Sequence, residues 1–311
     1  MRSPSGEVGR FESAGRLRVP AAGNRVAMPA LEKLIQRIEQ IDALDAGADR
    51  VASAISRVTH QPPVSNLVGG SWLGHPVHPV LTDLPIGFWT SAFVLDLFGG
   101  RSARRAAQSL VALGALSAVP TALTGLADWS DTVGRTRRLG IAHSVFNSAG
   151  LLSYTLSWRA RRHGHHGRGV LFALAGSAAA TLAASLGGHL VYRTGTGVDV
   201  NAFQRGPGDW TPLDGDLEPV TGLDGGYATP GGEPLLVSRT LDGWHAIGAR
   251  CSHRGGPLQE GKVGDGCITC PWHQSRFRLR DGAVVHGPAA APQPSYDVSE
   301  VDTELSVRRQ T

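Results

Sequence analysis

Between Pro29 and Val58 apolar residues recur at Leu31, Leu34, Ile35, Ile38, Ile41, Leu44, Ala48, Val51, Ile55 and Val58. This three-then-four spacing predicts one amphipathic helix over residues 29–60, with Pro29 suited to its first turn. Its apolar stripe either packs on the rest of the chain or meets a bilayer surface or a second copy. Four longer apolar stretches follow: Leu84–Phe98, Ala106–Ala127, Leu139–Trp158 and Gly169–Gly188. Asp96 interrupts the first, His143 lies in the third, and the second and fourth carry no charge. About 20 mostly apolar residues cross a hydrocarbon core, and the last three stretches reach that length. Trp129 and Trp158 stand at stretch ends, where indoles favour the headgroup layer. Small residues recur every fourth position at Gly114, Ala118 and Ala122, and again at Gly176, Ala180, Ala184 and Gly188, a spacing that lets membrane helices approach. A soluble bundle would need polar outer faces, which these stretches lack. The pattern predicts a four-helix transmembrane bundle over residues 70–195.

Beyond Tyr192 the texture shortens. Pro234–Thr240, Gly243–Gly248 and Gly266–Thr269 are β-rich runs set between Gly, Asp and Pro turns. They predict a small antiparallel all-β domain over residues 200–311, tethered by Arg193–Asn201. The expected fold class is therefore α+β multidomain: amphipathic helix, four-helix bundle, then β domain. Residues 1–28, rich in Arg, Gly and Ser, read as a disordered N-terminus with no apolar core of a secretory signal. Met28, just before the first periodic segment, is an alternative translation start.

Composition narrows the function classes. The net charge of +4 comes from scattered arginines without interleaved aromatics, so no nucleic-acid surface is expected. Three cysteines in 311 residues exclude a disulfide framework, and all three lie between Cys251 and Cys270. That clustering points to metal. The pattern is Cys251-Ser-His253, sixteen residues, then Cys270-Pro-Trp-His273. Two thiolates and two imidazoles suit a tetrahedral zinc ion, or a binuclear iron–sulfur centre with the cysteines on one iron and the histidines on the other. Gly- and Ser-containing turns follow each pair, and no zinc-finger helix follows, which favours the iron–sulfur alternative. Cys267 reads as a buried thiol in the strand before the second loop, and His245 and His286 as packing or surface residues.

CSHRGGPLQEG followed by CPWHQSRF resembles the Rieske ferredoxin-type domain over residues 205–305. The resemblance implies a [2Fe–2S] cluster held by Cys251, His253, Cys270 and His273. Respiratory members carry an extra disulfide whose two positions are here Gly256 and Trp272. Ser275 matches a serine whose hydroxyl bonds a bridging sulfide. Phe277 stands where high-potential members have a tyrosine bonded to a cysteine sulfur, which implies a potential toward the low end of the Rieske range. Gln274 replaces the usual glycine.

Residues 75–193 resemble an uncharacterised family of four-helix bacterial membrane domains marked by a His-Pro repeat, here GHPVHPVLTDLPIG. With four spans, His75, His78, Asp83, Asp128, His143 and His189 gather on the face from which the Rieske domain hangs. Ionisable residues at membrane depth mark functional sites. Three readings follow: a haem b ligated by His143 and His189, proton acceptors for a quinol, or residues that only satisfy one another. The expected function is a membrane-tethered one-electron carrier in the cell membrane, with a quinone or a redox protein as partner. A role as electron-transfer component of a Rieske-type oxygenase, or as a redox sensor, is the alternative. Only 38 residues follow His273, too few for the mononuclear-iron domain of an oxygenase. Arginines on the opposite loops (Arg101, Arg104, Arg105, Arg159, Arg161, Arg162, Arg168) outnumber those on the Rieske face (Arg135, Arg137, Arg138, Arg193, Arg205), which leans toward an extracytoplasmic Rieske domain.

Overall fold

The computed structural model describes residues 30–204, 206–213 and 217–310. The expectations for residues 1–28, disorder and an alternative start, lie outside the described residues.

The expected single helix over 29–60 is instead broken into α1 (Ala30–Glu39) and α2 (Asp45–Thr59), with a 3-10 turn at Asp42–Leu44. Arg138 causes the break. Its guanidinium donates to the Glu39 carbonyl at the end of α1 and to both Asp45 carboxylate oxygens, and it pairs with Asp42. The stripe is used for packing: α1 lies on α6 and α2 on α5 and α6, with Ile35 buried against Leu139, Leu186 and Leu190.

A short α3 (Val64–Gly69) leads to four long helices: α4 (Val77–Phe98), α5 (Arg104–Ser130), α6 (Gly134–Arg162) and α7 (His166–Tyr192). α4 pairs with α5, α6 pairs with α7, and α5 and α6 join the two pairs. Among the described residues three helices, α4, α5 and α7, are long and apolar enough to cross a membrane. α6 falls outside this set because it carries six arginines at its ends and Ser, Asn and His in its middle.

Two polar groups inside the bundle find partners on a neighbouring helix. Pro85 has no N–H to offer the carbonyl of Leu81 one turn back, and Thr121 Oγ1 of α5 donates to that carbonyl at 3.0 Å. Asp96 is neutralised by Arg161 of α6, which reaches both carboxylate oxygens; their side chains are 5% and 1% exposed. The small residues do more than bring backbones together. Trp89 and Tyr154 stack at 3.9 Å between ring centroids, and a Cβ on Gly114 or Gly176 would collide with one ring or the other.

Among the described residues the β domain contains eleven short strands: β1 (Thr211–Pro212), β2 (Glu218–Pro219), β3 (Gly225–Ala228), β4 (Leu235–Thr240), β5 (Gly243–Gly248), β6 (Lys262–Gly264), β7 (Cys267–Thr269), β8 (Arg276–Arg278), β9 (Val284–His286), β10 (Ser295–Val301) and β11 (Glu304–Arg309). They form two antiparallel sheets, β1-β11-β10-β5-β4-β3-β2 and β6-β7-β8-β9. A shared core joins them: Leu236 and Ile247 of the larger sheet, Ile268 and Phe277 of the smaller, and Cys251 and Cys270 from the connecting loops.

Candidate metal centre

Both cysteine–histidine pairs sit in loops of one design. The first follows β5 and the second links β7 to β8. In each, the cysteine N–H donates to the carbonyl five residues on, at 2.9 Å (Cys251 to Gly256) and 2.8 Å (Cys270 to Ser275). The N–H four residues on returns to the cysteine carbonyl, at 2.7 Å (Gly255) and 3.1 Å (Gln274). That turn needs a left-handed residue at its fourth step, and Gly255 (φ 74°) and Gln274 (φ 63°) both adopt it. The unusual glutamine therefore leaves the loop conformation unchanged.

These turns direct the four side chains into two pairs. The Cys251 and Cys270 thiols hydrogen-bond to each other. That bond, with the backbone N–H groups of Trp272 and His273, pulls Cys270 down to about 7, while the shared proton and burial push Cys251 up. The His253 and His273 rings stand edge to face, 5.1 Å between centroids. Burial pushes His253 down to about 3 and lowers His273, so both imidazoles are neutral, the form that offers a lone pair to a metal. Among the described residues no three His, Cys, Asp or Glu side chains converge on one point, whereas a single zinc ion needs four donors around it. Segregated thiol and imidazole pairs suit two metal ions.

Two polar atoms await a partner of that kind. His253 Nδ1 is buried without a hydrogen bond. Ser275, fully buried, accepts the Ala289 N–H at 2.9 Å and among the described residues donates to no protein atom. The residues thus fit a binuclear cluster. Phe277, in the Ile268–Leu279 core, brings no hydroxyl to it. A Cβ at Gly256 would lie 2.7 Å from Cys270 Sγ and 3.2 Å from the Trp272 ring, so positions 256 and 272 are adjacent. All three cysteines are free thiols, and Cys267 is buried in β7.

The model of the Rieske [2Fe–2S] domain matches residues 221–297, and that of a predicted membrane protein family, DUF2231, matches residues 74–200. The anthranilate 1,2-dioxygenase ferredoxin subunit of Burkholderia cepacia is 34% identical over 99 residues, 32% of this chain and 91% of that protein. The chain belongs to the Rieske [2Fe–2S] family. Its likeness to the carotenoid phi-ring synthase of Chlorobaculum tepidum, 38% identical over 89 residues, spans 29% of this chain and 13% of that protein. Among solved structures, the ferredoxin of carbazole 1,9a-dioxygenase from Nocardioides aromaticivorans IC177 is 30% identical, with a TM-score of 0.29, covering 32% of this chain and 99% of that chain. The protein is an iron–sulfur electron carrier with a [2Fe–2S] cluster, and its Rieske domain is tethered to a membrane domain.

The membrane-face residues do not form one site. His75 and Asp83 are exposed. The His78 Nδ1–H donates to the Thr121 carbonyl at 2.9 Å, and His189 faces Glu39 at 3.9 Å. His143 uses both ring nitrogens, donating to the Ala183 carbonyl at 2.8 Å and accepting from Asn147 at 2.9 Å. An axial haem ligand needs a free ring nitrogen, so nothing here supports a haem at His143 and His189. Only Asp128 meets the Rieske domain: its main-chain carbonyl accepts from Arg254 at 3.3 Å.

Sequence reasoning missed the residues that do reach the site, His60 and Asp131. The His60 Nε2–H donates to Asp131 Oδ1 at 2.7 Å, and Asp131 Oδ2 lies 3.6 Å from His253 Nε2. Burial would raise the Asp131 carboxyl, but the His60 hydrogen bond and the facing His253 and His273 hold it below the usual range. The available signal was position: Asp131 lies one helical turn past Asp128, at the end of a charge-free stretch.

Proposed function

We propose that Cys251 and Cys270 hold one iron and His253 and His273 the other, and that the chain is a membrane-held ferredoxin serving a protein redox partner. The observation that carries the ligand assignment is the pairing of thiol with thiol and imidazole with imidazole, with His253 Nδ1 left unpartnered. The bound cluster supplies reversible one-electron transfer. The Cys251 and Cys270 loops supply backbone N–H groups that favour charge on sulfur, and Ser275 supplies a hydroxyl proton. The relative named as the ferredoxin subunit of a dioxygenase supports a protein partner, such as an oxygenase component. Trp272, 55% exposed beside His273, offers an open flank on which it can dock.

A quinol has acceptors in His60 and Asp131, but the cavity between them and Asp128 is only about 10 Å³, room for one water. We read α6 as a fourth span, since its middle Leu139–Trp158 is uncharged. Arg161 of the opposite loops pairs with Asp96, while on the Rieske face Arg137, Arg138 and Arg193 pair with Asp49, Asp45 and Glu32, so the balance of arginines still favours the opposite loops. This supports an extracytoplasmic Rieske domain. Purification of the full chain in lipid nanodiscs should yield iron and acid-labile sulfide in equal amounts and a histidine-ligated [2Fe–2S] spectrum on reduction. Cys251→Ser and His273→Ala should each abolish that spectrum; its survival in either would overturn the assignment.

A further inference from the structure

The helical domain does more than anchor the cluster site. Around His253 and His273 it contributes the end of α5 and the end of α2. Asp131, 4% exposed, is fixed by the 2.7 Å bond from His60 and turns its second oxygen to His253 Nε2 at 3.6 Å. The His60 ring stands edge-on to His273, 6.0 Å between centroids. Further contacts lock the two domains in this register. The Gly287 N–H donates to Asn66 Oδ1 at 2.7 Å, Ser65 Oγ meets His286 Nε2 at 3.2 Å, and Arg254 donates to the Asp128 carbonyl. The approach is tight enough that a Cβ on Gly69 would lie 2.9 Å from the Pro288 carbonyl oxygen.

We propose that Asp131, held by His60, is a positioning residue of the helical domain that lowers the reduction potential of the cluster in the Rieske domain. The proposal rests on the ligand assignment above. With Nδ1 of His253 toward iron, its far nitrogen is the one that faces the carboxylate. An anion at that distance, in a buried place where Coulomb interactions are weakly screened, favours the more positive, oxidised state of the centre. The helical domain thereby sets the potential of the cluster docked on it.

The test is a redox titration of the full chain in nanodiscs, followed by the reduced-state EPR signal. Asp131→Asn should raise the midpoint potential and alter the EPR line positions, while Asp131→Glu should stay near wild type. Asp297→Asn, the same charge change on β10 outside the cluster loops, should leave both readouts unchanged. Gly69→Val, whose Cβ would press on the Pro288 backbone across the junction, should shift the potential in the direction of Asp131→Asn. Wild-type potential and spectrum in Asp131→Asn overturn the proposal; if that variant holds no cluster, the same result in Gly69→Val does so. A wild-type protein lacking the histidine-ligated spectrum overturns the ligand assignment instead, and the proposal falls with it.

Discussion

At Gln274 a single side chain occupies a conformation that the matching loop assigns to glycine, φ 63° against 74° at Gly255. A left-handed backbone costs a non-glycine residue roughly 1–2 kcal/mol, partly offset by the extra chain entropy of glycine in the unfolded state. Gln274→Gly should therefore raise stability by roughly 0.5–1 kcal/mol with an unchanged visible spectrum, read as a higher thermal midpoint. Phe277 gives a second prediction. Placing a hydroxyl there by Phe277→Tyr should raise the midpoint potential, whereas the wild type should titrate below about +200 mV in a family range of roughly −150 to +300 mV. The four proposed ligands were legible because each pair lies within four residues and the loop repeats its own hydrogen bonding. Asp131 and His60 were not. Their role depends on a docking between segments more than a hundred residues apart, and neither stands in a local motif.

Helices and strands were legible to different depths. β4 and β5 match the runs read from Gly, Pro and Asp punctuation almost residue for residue, because strand ends are written locally. The break between α1 and α2 was invisible, since the apolar periodicity continues through it. What ends α1 is Arg138, whose bonds to Glu39 and Asp45 no nearby residue announces. Asp96, which looked like a flaw in an apolar stretch, is instead half of a buried pair that joins α4 to α6. Removing one partner strands a buried charge, so Asp96→Ala should cost about 3–5 kcal/mol, measurable by denaturant titration in detergent. The double variant Asp96→Leu with Arg161→Leu should recover most of that loss, because no charge is left without its partner.

The two domains together answer a question that neither answers alone: which side of the cluster site is open. The His253 side chain is 14% exposed and faces the ends of α2 and α5, while Trp272, beside His273, is 55% exposed. Electron exchange with a soluble partner should therefore depend on the Trp272 flank. Trp272→Ala should slow reduction by a protein partner several-fold in stopped-flow measurements while leaving reduction by dithionite, a small reagent, nearly unchanged. The architecture as a whole was readable from the change in texture near Tyr192, because membrane and β segments differ in composition as well as in period. The register between them was not, since it rests on single contacts such as Gly287 with Asn66.

The link between α7 and the Rieske domain is short and fastened at its far end. Only residues 193–200 separate Tyr192 from Asn201, and the Val200 N–H already bonds the Ser252 carbonyl beside the first ligand loop. Fully drawn out, those residues reach about 28 Å. A courier that picks up its load at one station and walks to another needs a longer leash. Docked through Gly287, Arg254 and His253, the domain acts as a fixed post, and the proposed protein partner would have to come to it.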